Sequence, residues 1–364
     1  MLPAVNRVSR VEALKELAFE KKSFDGFLVT DEMNLLYLTG VPGAAYVLIP
    51  KEGEVVIYTD ARYCEMLKVE TKSFKIELLK RGENFVEKMA PQFKAAKIKK
   101  LATDGIGYDK YHMLVKGLRG KANVKVQHDI VSQLRQVKEE KELELMRKAG
   151  ELTSLGMKVA YETVRPGLTE IEVAAEVEYA MRKKGGWGVA FETIVASGVH
   201  SAYPHGGCEN RKIHSGDVVV VDMGAKYEYY CSDITRTIVA GKPTEKQRRL
   251  YAVVKEAHEE AYHAIKPKAK GKDVHLVAWK VIEKAGYGAL FNHGLGHGVG
   301  LEIHEAPNLS PSSKDKLEVG NVVTDEPGIY FVGYAGFRIE DTVLVLKGQG
   351  EKFTKAPYTL EAEA

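Results

Sequence analysis

VVVVDMGAKYEYYCSDITRT, Val218 to Thr237, sets two aspartates, Asp222 and Asp233, inside segments that otherwise read as buried strand. Val218 to Val221 is an apolar β-branched run, and Tyr227 to Thr237 is rich in strand-favouring residues around a small polar centre. A short turn near Ala225 to Glu228 predicts a hairpin that places Asp222 opposite Asp233. Like charges opposed on one sheet face are destabilising unless something positive sits between them.

A second stretch repeats the pattern. VVTDEPGIYFVGYAGFRIEDTVLVL, Val322 to Leu346, mirrors about Gly333 and opposes Glu326 with Glu340. The same register opposes Asp325 with Asp341, and strand geometry alone leaves open which pair points inward. A lone hairpin of this kind is better read as turning its acids to water. Two such hairpins, with a histidine cluster between them, shift the balance toward metal, because buried acid pairs are costly unless cations neutralise them.

The cluster is NHGLGHGVGLEIHEAP, Asn292 to Pro307. It fails the G-x-G-x-x-G test at Val299 and Leu301, and it fails H-E-x-x-H at Asn308. Its glycines instead let the backbone come close to something, with His297 in their midst. Four carboxylates and an imidazole are a hard, oxygen-rich set suited to two divalent ions of the manganese, cobalt or zinc type. In such a site the ions, ~3.5–4 Å apart, supply hydroxide at neutral pH, so the implied chemistry is hydrolysis. No G-x-S-x-G nucleophile motif competes with it.

The rest of the chain narrows the class. At 364 residues it holds two ordinary domains, and 45% hydrophobic with 28% charged residues is a globular composition. Net charge is only +3, and the lysine cluster Lys97 to Lys100 reads as a solvated face, so nucleic acid is not an expected partner. Cys64, Cys208 and Cys231 have neither disulfide nor zinc-site spacing, which suits a reducing compartment. No signal-like segment opens the chain and no apolar run approaches the ~20 residues of a membrane span, so a cytoplasmic protein without membrane partners is expected.

From Val8 to about Val131, strand-like runs (FDGFLVT, AAYVLIP, EVVIYTD, KIELL, VKVQHDI) alternate with amphipathic stretches such as Arg10 to Lys21, an α/β pattern. A long helix follows from Val137 to Val164, with Glu144 and Lys148 at a favourable i, i+4 spacing. The boundary is set near residues 132 to 138, giving domains 1–132 and 133–364. Thr169 is a candidate N-cap and Gly185 a stop for the next helix. Strands over Glu192 to Ala240, helices over Thr244 to Gly286 and strands over Asn321 to Leu346 make the second domain α+β.

Taken together, these motifs resemble the metal-dependent pita-bread peptidases, the family of methionine aminopeptidase, prolidase and aminopeptidase P. The resemblance runs from about Glu139 to Leu346 through VVDMGAKYEYYCSDITRT, GHGVGLEIHEAP, EPGIY and GFRIEDT. It extends more weakly to a creatinase-like N-terminal domain through NLLYLTG and YTDARY. It implies two divalent ions, manganese favoured, on Asp222, Asp233, His297, Glu326 and Glu340, and so chooses Glu326 and Glu340 over Asp325 and Asp341. FETIVASGVHSAYPHG looks like the prolyl-specific branch, implying cleavage of Xaa-Pro bonds in dipeptides or short peptides by a homodimer.

Roles follow from the resemblance. His205 or His304 would donate to the scissile carbonyl, Glu326 would carry the proton from water to the leaving nitrogen, and Arg338 would orient Glu340 or the substrate. Phe191 and Ile303 match an apolar wall for the proline ring. Tyr230 and Thr235 would support the site from behind, while His293, His200 and His214 are assigned to the scaffold and Cys231 to packing. Three positions depart from the pattern. Asn308 stands where prolidases often carry an arginine for the dipeptide carboxylate, His200 replaces a common arginine, and Asp325 replaces an apolar residue and is expected to perturb the metal site electrostatically. Two other readings are a hydrolase of non-peptide esters and a catalytically silent binding relative, the latter disfavoured by the intact ligand set.

Overall fold

The computed structural model describes residues 7–362, and the chain divides into two compact units between Arg135 and Gln136. The N-terminal unit runs α1 (Arg7–Lys15), β1 (Gly26–Val29), α2 (Glu32–Thr39), β2 (Ala44–Pro50), β3 (Val56–Thr59), α3 (Cys64–Glu70), β4 (Lys75–Leu78), α4 (Phe85–Ala95), β5 (Lys100–Thr103), α5 (Tyr108–Gly117), β6 (Asn123–Val126) and α6 (Asp129–Gln136). Its six strands form one mixed sheet in the order β4-β3-β2-β1-β5-β6. The five strand-like runs of the sequence all fall on it. Its β5 was hidden behind the lysine cluster, because Lys99 and Lys100 turn their side chains to solvent while their amides bond the Asp25 carboxylate at 3.0 and 2.8 Å. The stretch Arg10 to Lys21 is not one regular helix, since α1 gives way to a π-helical turn over Glu16–Lys21.

The C-terminal unit opens with two helices, α7 (Glu140–Thr163) and α8 (Glu170–Lys183). Thr169 caps α8 in a capping box: its hydroxyl accepts from the Glu172 amide at 3.2 Å, and the Glu172 carboxylate accepts from the Thr169 amide at 2.7 Å. On α7 the expected Glu144–Lys148 pair is replaced by Lys148–Glu151 at 2.8 Å, one turn onward on the exposed face.

Strands follow: β7 (Gly188–Val189), β8 (Ile194–Ser197), β9 (Val218–Met223), β10 (Ala225–Tyr227), β11 (Tyr230–Cys231) and β12 (Ile234–Val239). After α9 (Glu245–Ala264) and α10 (Gly271–Lys284) come β13 (Gly296–Gly298), β14 (Glu305–Leu309), β15 (Val322–Asp325), β16 (Gly328–Phe331), β17 (Ala335–Arg338), β18 (Glu340–Leu344) and β19 (Glu351–Lys352). The main sheet is antiparallel in the order β14-β13-β15-β18-β12-β9-β8, with β19 alongside β18. Val219, Val221, Met223, Ile234 and Ile238 pack with residues of α7 and α8, whereas Val323 and Val343 join the core with α9 and α10.

The first hairpin differs from expectation in register. The turn lies at Glu228 and Tyr229, both left-handed with φ of 42° and 75°, rather than at Ala225 to Glu228. Asp222 consequently pairs with Thr235, not Asp233. Because side chains alternate with period two, Asp233, two residues from Thr235, still shares the face of Asp222. The second hairpin keeps its mirror about Gly333: Asp325 pairs with Asp341 and Gly328 with Arg338, so Glu326 falls opposite Glu340.

Replacing Thr169 by alanine deletes the capping box and should destabilise the C-terminal unit by about 1 kcal/mol. Differential scanning calorimetry should then show its transition lowered by ~2–4 °C; an unchanged transition would show that the cap is dispensable.

Candidate metal centre

Alternation along the central strands sorts the acids. On one face lie Glu340, Thr235 and Asp222, paired in a row across β18, β12 and β9, with Asp233 one step along. On the other lie Asp341 and Asp325. Sequence periodicity could not choose between the two glutamate and aspartate pairs, and the fold uses both, one on each side of the sheet.

The aspartate pair has protein cations. Arg236 and Asp341 are both fully buried and meet at 3.0 Å, while Lys352 reaches Asp341 at 3.0 Å and His258 Nε2 at 3.1 Å. These charges hold Asp341 well below the ordinary carboxylate range despite its burial. Asp325 lies 3.3 Å from His258, whose ring nitrogen bonds the Asp325 carbonyl oxygen instead, and it feels Lys352 only at longer range. Burial therefore pushes Asp325 up to about 7, with the Asp341 charge adding to the rise against His258 and Lys352. Asp325 faces α9 rather than the metal-site face, and its coupling to that site runs through the charge of Glu326, which adds to its rise.

The opposite face floors a cavity of about 540 Å³ lined by Asp222, Asp233, His297, Glu326 and Glu340. His297 reaches Glu326 at 3.3 Å and Asp233 at 3.8 Å, and single ligand atoms of Asp233, His297 and Glu340 lie within 4.8 Å of one another. Glycines flank His297 because backbone crowds it on both sides: a Cβ at Gly296 would lie 2.3 Å from the Thr324 carbonyl oxygen, and one at Gly298 2.4 Å from that of Ala306. Its amide also bonds the Thr324 hydroxyl at 3.0 Å, which fixes where the ring projects.

Two groups aim the carboxylates. The Thr235 hydroxyl donates to Glu340 Oε2 at 2.7 Å. Buried Arg338 donates to Asp222 Oδ2 at 2.5 Å, to the Tyr330 hydroxyl at 2.8 Å and to the Thr235 hydroxyl at 3.1 Å. Arg338 thus grips Asp222 directly and reaches Glu340 only through Thr235. Thr235 stands behind the site as expected, whereas the Tyr230 hydroxyl donates to Glu142 on α7 at 2.6 Å.

The electrostatics are those of an anion-rich site. Burial pushes Asp233 well above the carboxylate range, reinforced by the charges of Glu340, Asp222 and Glu326. Glu340 rises well above it too, through burial and then Glu326 and Asp222. Burial raises Asp222 against the pull of Arg338. Glu326 alone falls: burial opposes its ionisation, but the hydrogen bond and charge of His297 bring it to about 2. Asp222 Oδ1, Asp233 Oδ1 and Glu340 Oε1 are buried with no hydrogen-bond partner. Hard carboxylate oxygens left without donors beside an imidazole fit divalent cations.

The remaining assigned residues line the same cavity: Phe191 and Ile303 on its apolar wall, His205 and His304 at its exposed rim, Asn308 and Ser310 beyond them. The His304 ring stands edge-on to His297 with centroids 4.2 Å apart. His293, assigned to the scaffold, is also in the lining, and its Nε2 bonds the Tyr330 hydroxyl at 3.0 Å. Its spacing from His297 within the glycine-rich run was the available signal. Glu192 is a further lining residue, and nothing in its sequence context marks it. His200 and His214 lie outside the lining, and Cys231 is buried with its thiol toward the Leu301 carbonyl oxygen at 3.8 Å.

Linkage fixes the sign of the metal-free protein's pH dependence. Asp233 and Glu340 bind protons more tightly folded than unfolded, so stability is lost as pH rises from the ordinary carboxylate range toward their raised values. After chelation, the melting temperature of the C-terminal unit should fall as pH is raised from about 5 to 8, and Mn²⁺ should restore it. Asp233→Asn should melt higher than wild type when metal-free and gain less from Mn²⁺; a lower metal-free melting temperature would contradict the repulsion read here.

Comparison with known proteins agrees with the fold. Residues 10–137 match the creatinase/prolidase N-terminal domain, and residues 144–347 match metallopeptidase family M24. The chain is 40% identical over 346 residues to an Xaa-Pro dipeptidase of Pyrococcus horikoshii, covering 94% of this chain and 95% of the relative. The Xaa-Pro dipeptidase structure from Bacillus anthracis superposes with a TM-score of 0.93 at 36% identity, covering 98% of this chain and 99% of that one. An X-Pro aminopeptidase structure from Thermotoga maritima gives 0.85 at 36% identity, covering 94% and 99%. The chain belongs to metallopeptidase family M24.

Proposed function

We propose that this protein hydrolyses Xaa-Pro bonds as a dinuclear metallopeptidase. The observation that carries the reading is the set of buried, partnerless carboxylate oxygens around His297, at the floor of a cavity walled by Phe191 and Ile303. Asp222, Asp233, His297, Glu326 and Glu340 are the proposed ligands of two divalent ions, with manganese favoured by the resemblance. When bound, the ions polarise the scissile carbonyl and make water nucleophilic at neutral pH.

The chain's own residues do the rest. Glu326 accepts the proton of the attacking water and delivers it to the leaving imide nitrogen. His205 or His304, both at the rim, donates to the carbonyl oxygen as negative charge develops there. Burial lowers the affinity of the His304 ring for a second proton, with the His297 and His205 charges acting the same way. Arg338 acts as a positioning residue, since its donors are committed to Asp222, Tyr330 and Thr235. Phe191 and Ile303 would pack the proline ring, whose nitrogen has no hydrogen and whose φ is fixed.

The far wall bears on substrate length. Among the described lining residues Arg338 is the one lysine or arginine, and it is committed elsewhere; Asn308 and Ser310 are neutral. A free carboxylate after proline would find no unpaired arginine or lysine there, which favours tolerance of peptides longer than Xaa-Pro. Residues 1–132 are assigned to the creatinase-like domain and 133–364 to the catalytic domain. That no disulfide joins the described cysteines supports the cytoplasmic setting, and a homodimer is carried over from the resemblance.

Initial rates on Ala-Pro and Ala-Pro-Ala, with stripped protein before and after Mn²⁺, test the reading. Metal-dependent cleavage of the tripeptide at least as fast as the dipeptide supports it; cleavage of the dipeptide alone would overturn the length assignment. Cleavage of neither would point to the non-peptide or silent readings. Introducing a carboxylate partner by Asn308→Arg should lower KM for Ala-Pro by about tenfold or more, the scale of one charge-assisted hydrogen bond, and leave Ala-Pro-Ala little changed.

A further inference from the structure

The segment that brings His205 to the cavity leaves β8 through a 3₁₀ turn, Gly198–Ala202, and continues through Pro204 to Gly207. Its two ends are held by the Gly336 amide, which donates to the Ser201 hydroxyl at 2.9 Å, and by the Val195 amide, which donates to the Cys208 thiol at 3.2 Å, and between them Arg338 comes within 3.5 Å of the Pro204 carbonyl oxygen; His200 ties the stretch next to His205 to α8. His200, 8% exposed, places Nδ1 3.1 and 3.0 Å from the two carboxylate oxygens of Glu170, the first residue of α8, and Nε2 3.1 Å from the carbonyl oxygen of Gly206. The contact is closed, because a Cβ at Gly206 would lie 2.7 Å from that Nε2.

Both partners accept hydrogen bonds. Gly206 offers a carbonyl oxygen, and three donors already converge on the fully buried Glu170 carboxylate: the Ser197 amide and hydroxyl at 2.7 Å each and the Glu209 amide at 2.8 Å. A neutral imidazole has one N–H and can satisfy one of the two. The imidazolium satisfies both. The other groups facing this ring are Glu209, whose carboxylate is 3.7 Å from Nε2, and Tyr203, with ring centroids 6.4 Å apart. Arg211, behind Ser197, donates to that hydroxyl and pairs with Asp217 at 2.7 Å, so its charge is locally balanced. No carboxylate of the metal centre is in contact with His200.

We propose that His200, in its doubly protonated form, is a positioning residue that latches the His205 segment to α8 through Gly206, and that loss of its second proton releases the latch. Where the family commonly has an arginine the charge is permanent; here it is conditional on pH. The inference rests on the role proposed for His205, but the latch itself can be read without catalysis.

The experiment follows hydrogen exchange of peptides spanning residues 198–210 in the metal-loaded protein, corrected for intrinsic exchange, alongside kcat/KM for Ala-Pro-Ala over about pH 5.5 to 9.5. Wild type should lose segment protection as pH rises, and its kcat/KM should fall by about tenfold relative to His200→Arg at the alkaline end. His200→Arg should keep the segment protected at every pH, and His200→Gln should leave it unprotected at every pH, so either variant suffices if the other does not fold. Protection that is independent of pH in wild type, or that depends on pH identically in the folded variants, would overturn the latch. A pH-dependent latch abolished by the variants would stand even if His205→Ala kept full kcat, and in that case only the role of His205 would fall.

Discussion

Four buried or half-buried carboxylates share one face of the central sheet, and among the described residues Arg338 and His297 are the ion-pair partners set against them. That imbalance is the constraint on which the rest of the C-terminal unit depends. Left alone it favours protonation and strand separation, and Asp233 and Glu340 sit well above the carboxylate range because of it. Divalent cations, which the family implies, would relieve the imbalance and so couple metal binding to the stability of the sheet. On the reverse face Asp341 has covalently attached cations, Arg236 and Lys352, while Asp325 keeps both carboxylate oxygens without a hydrogen bond and holds its proton more tightly instead. The contrast between the two faces is the clearest physical sign of where the ions belong.

Geometry is held by the backbone more than by side-chain packing. Asp222, Thr235 and Glu340 are aligned by strand pairing, and His297 is aimed by close approach of neighbouring carbonyl groups that only glycine tolerates. Arg338 and Thr235 then set the carboxylate orientations. A ligand set borne on paired strands moves little, and small misplacement is what catalysis by oriented groups tolerates least.

Much of this was legible in the chain. Opposed acids in apolar strands, a glycine-bounded histidine and the mirror about Gly333 led to the ligand-bearing elements, and the second register was right because its turn is centred on a glycine with φ of 81°. The first register was misread by two residues because Glu228 and Tyr229 adopt left-handed conformations that residues with a Cβ seldom take, so the turn left no glycine to mark it. The surroundings of Asp325 were hidden for a different reason. Its partners, His258 on α9 and Lys352 on β19, are remote in sequence, and no local pattern shows that a buried acid has cations waiting behind the sheet. Glu192 escaped likewise, since lining a cavity is a property of the assembled strands.

Strands and loops divide the site's work. Of the proposed ligands, Asp222, His297 and Glu340 sit on paired strands and Asp233 and Glu326 sit next to strand ends, where a change of residue disturbs several partners at once. Asn308 lies at the rim and His205 in a loop, where substitutions meet solvent rather than a packed neighbour. Departures from the family pattern should therefore gather around the substrate, and two of the three here do: Asn308 on the wall and His200 beneath the His205 segment. The third, Asp325, is tolerated inside the sheet because the opposite face can receive it, with Asp341 held ionised beside it by Arg236 and Lys352. A buried acid at that position without His258 and Lys352 would meet the charges of Asp341 and Glu326 unopposed and would hold its proton more tightly still.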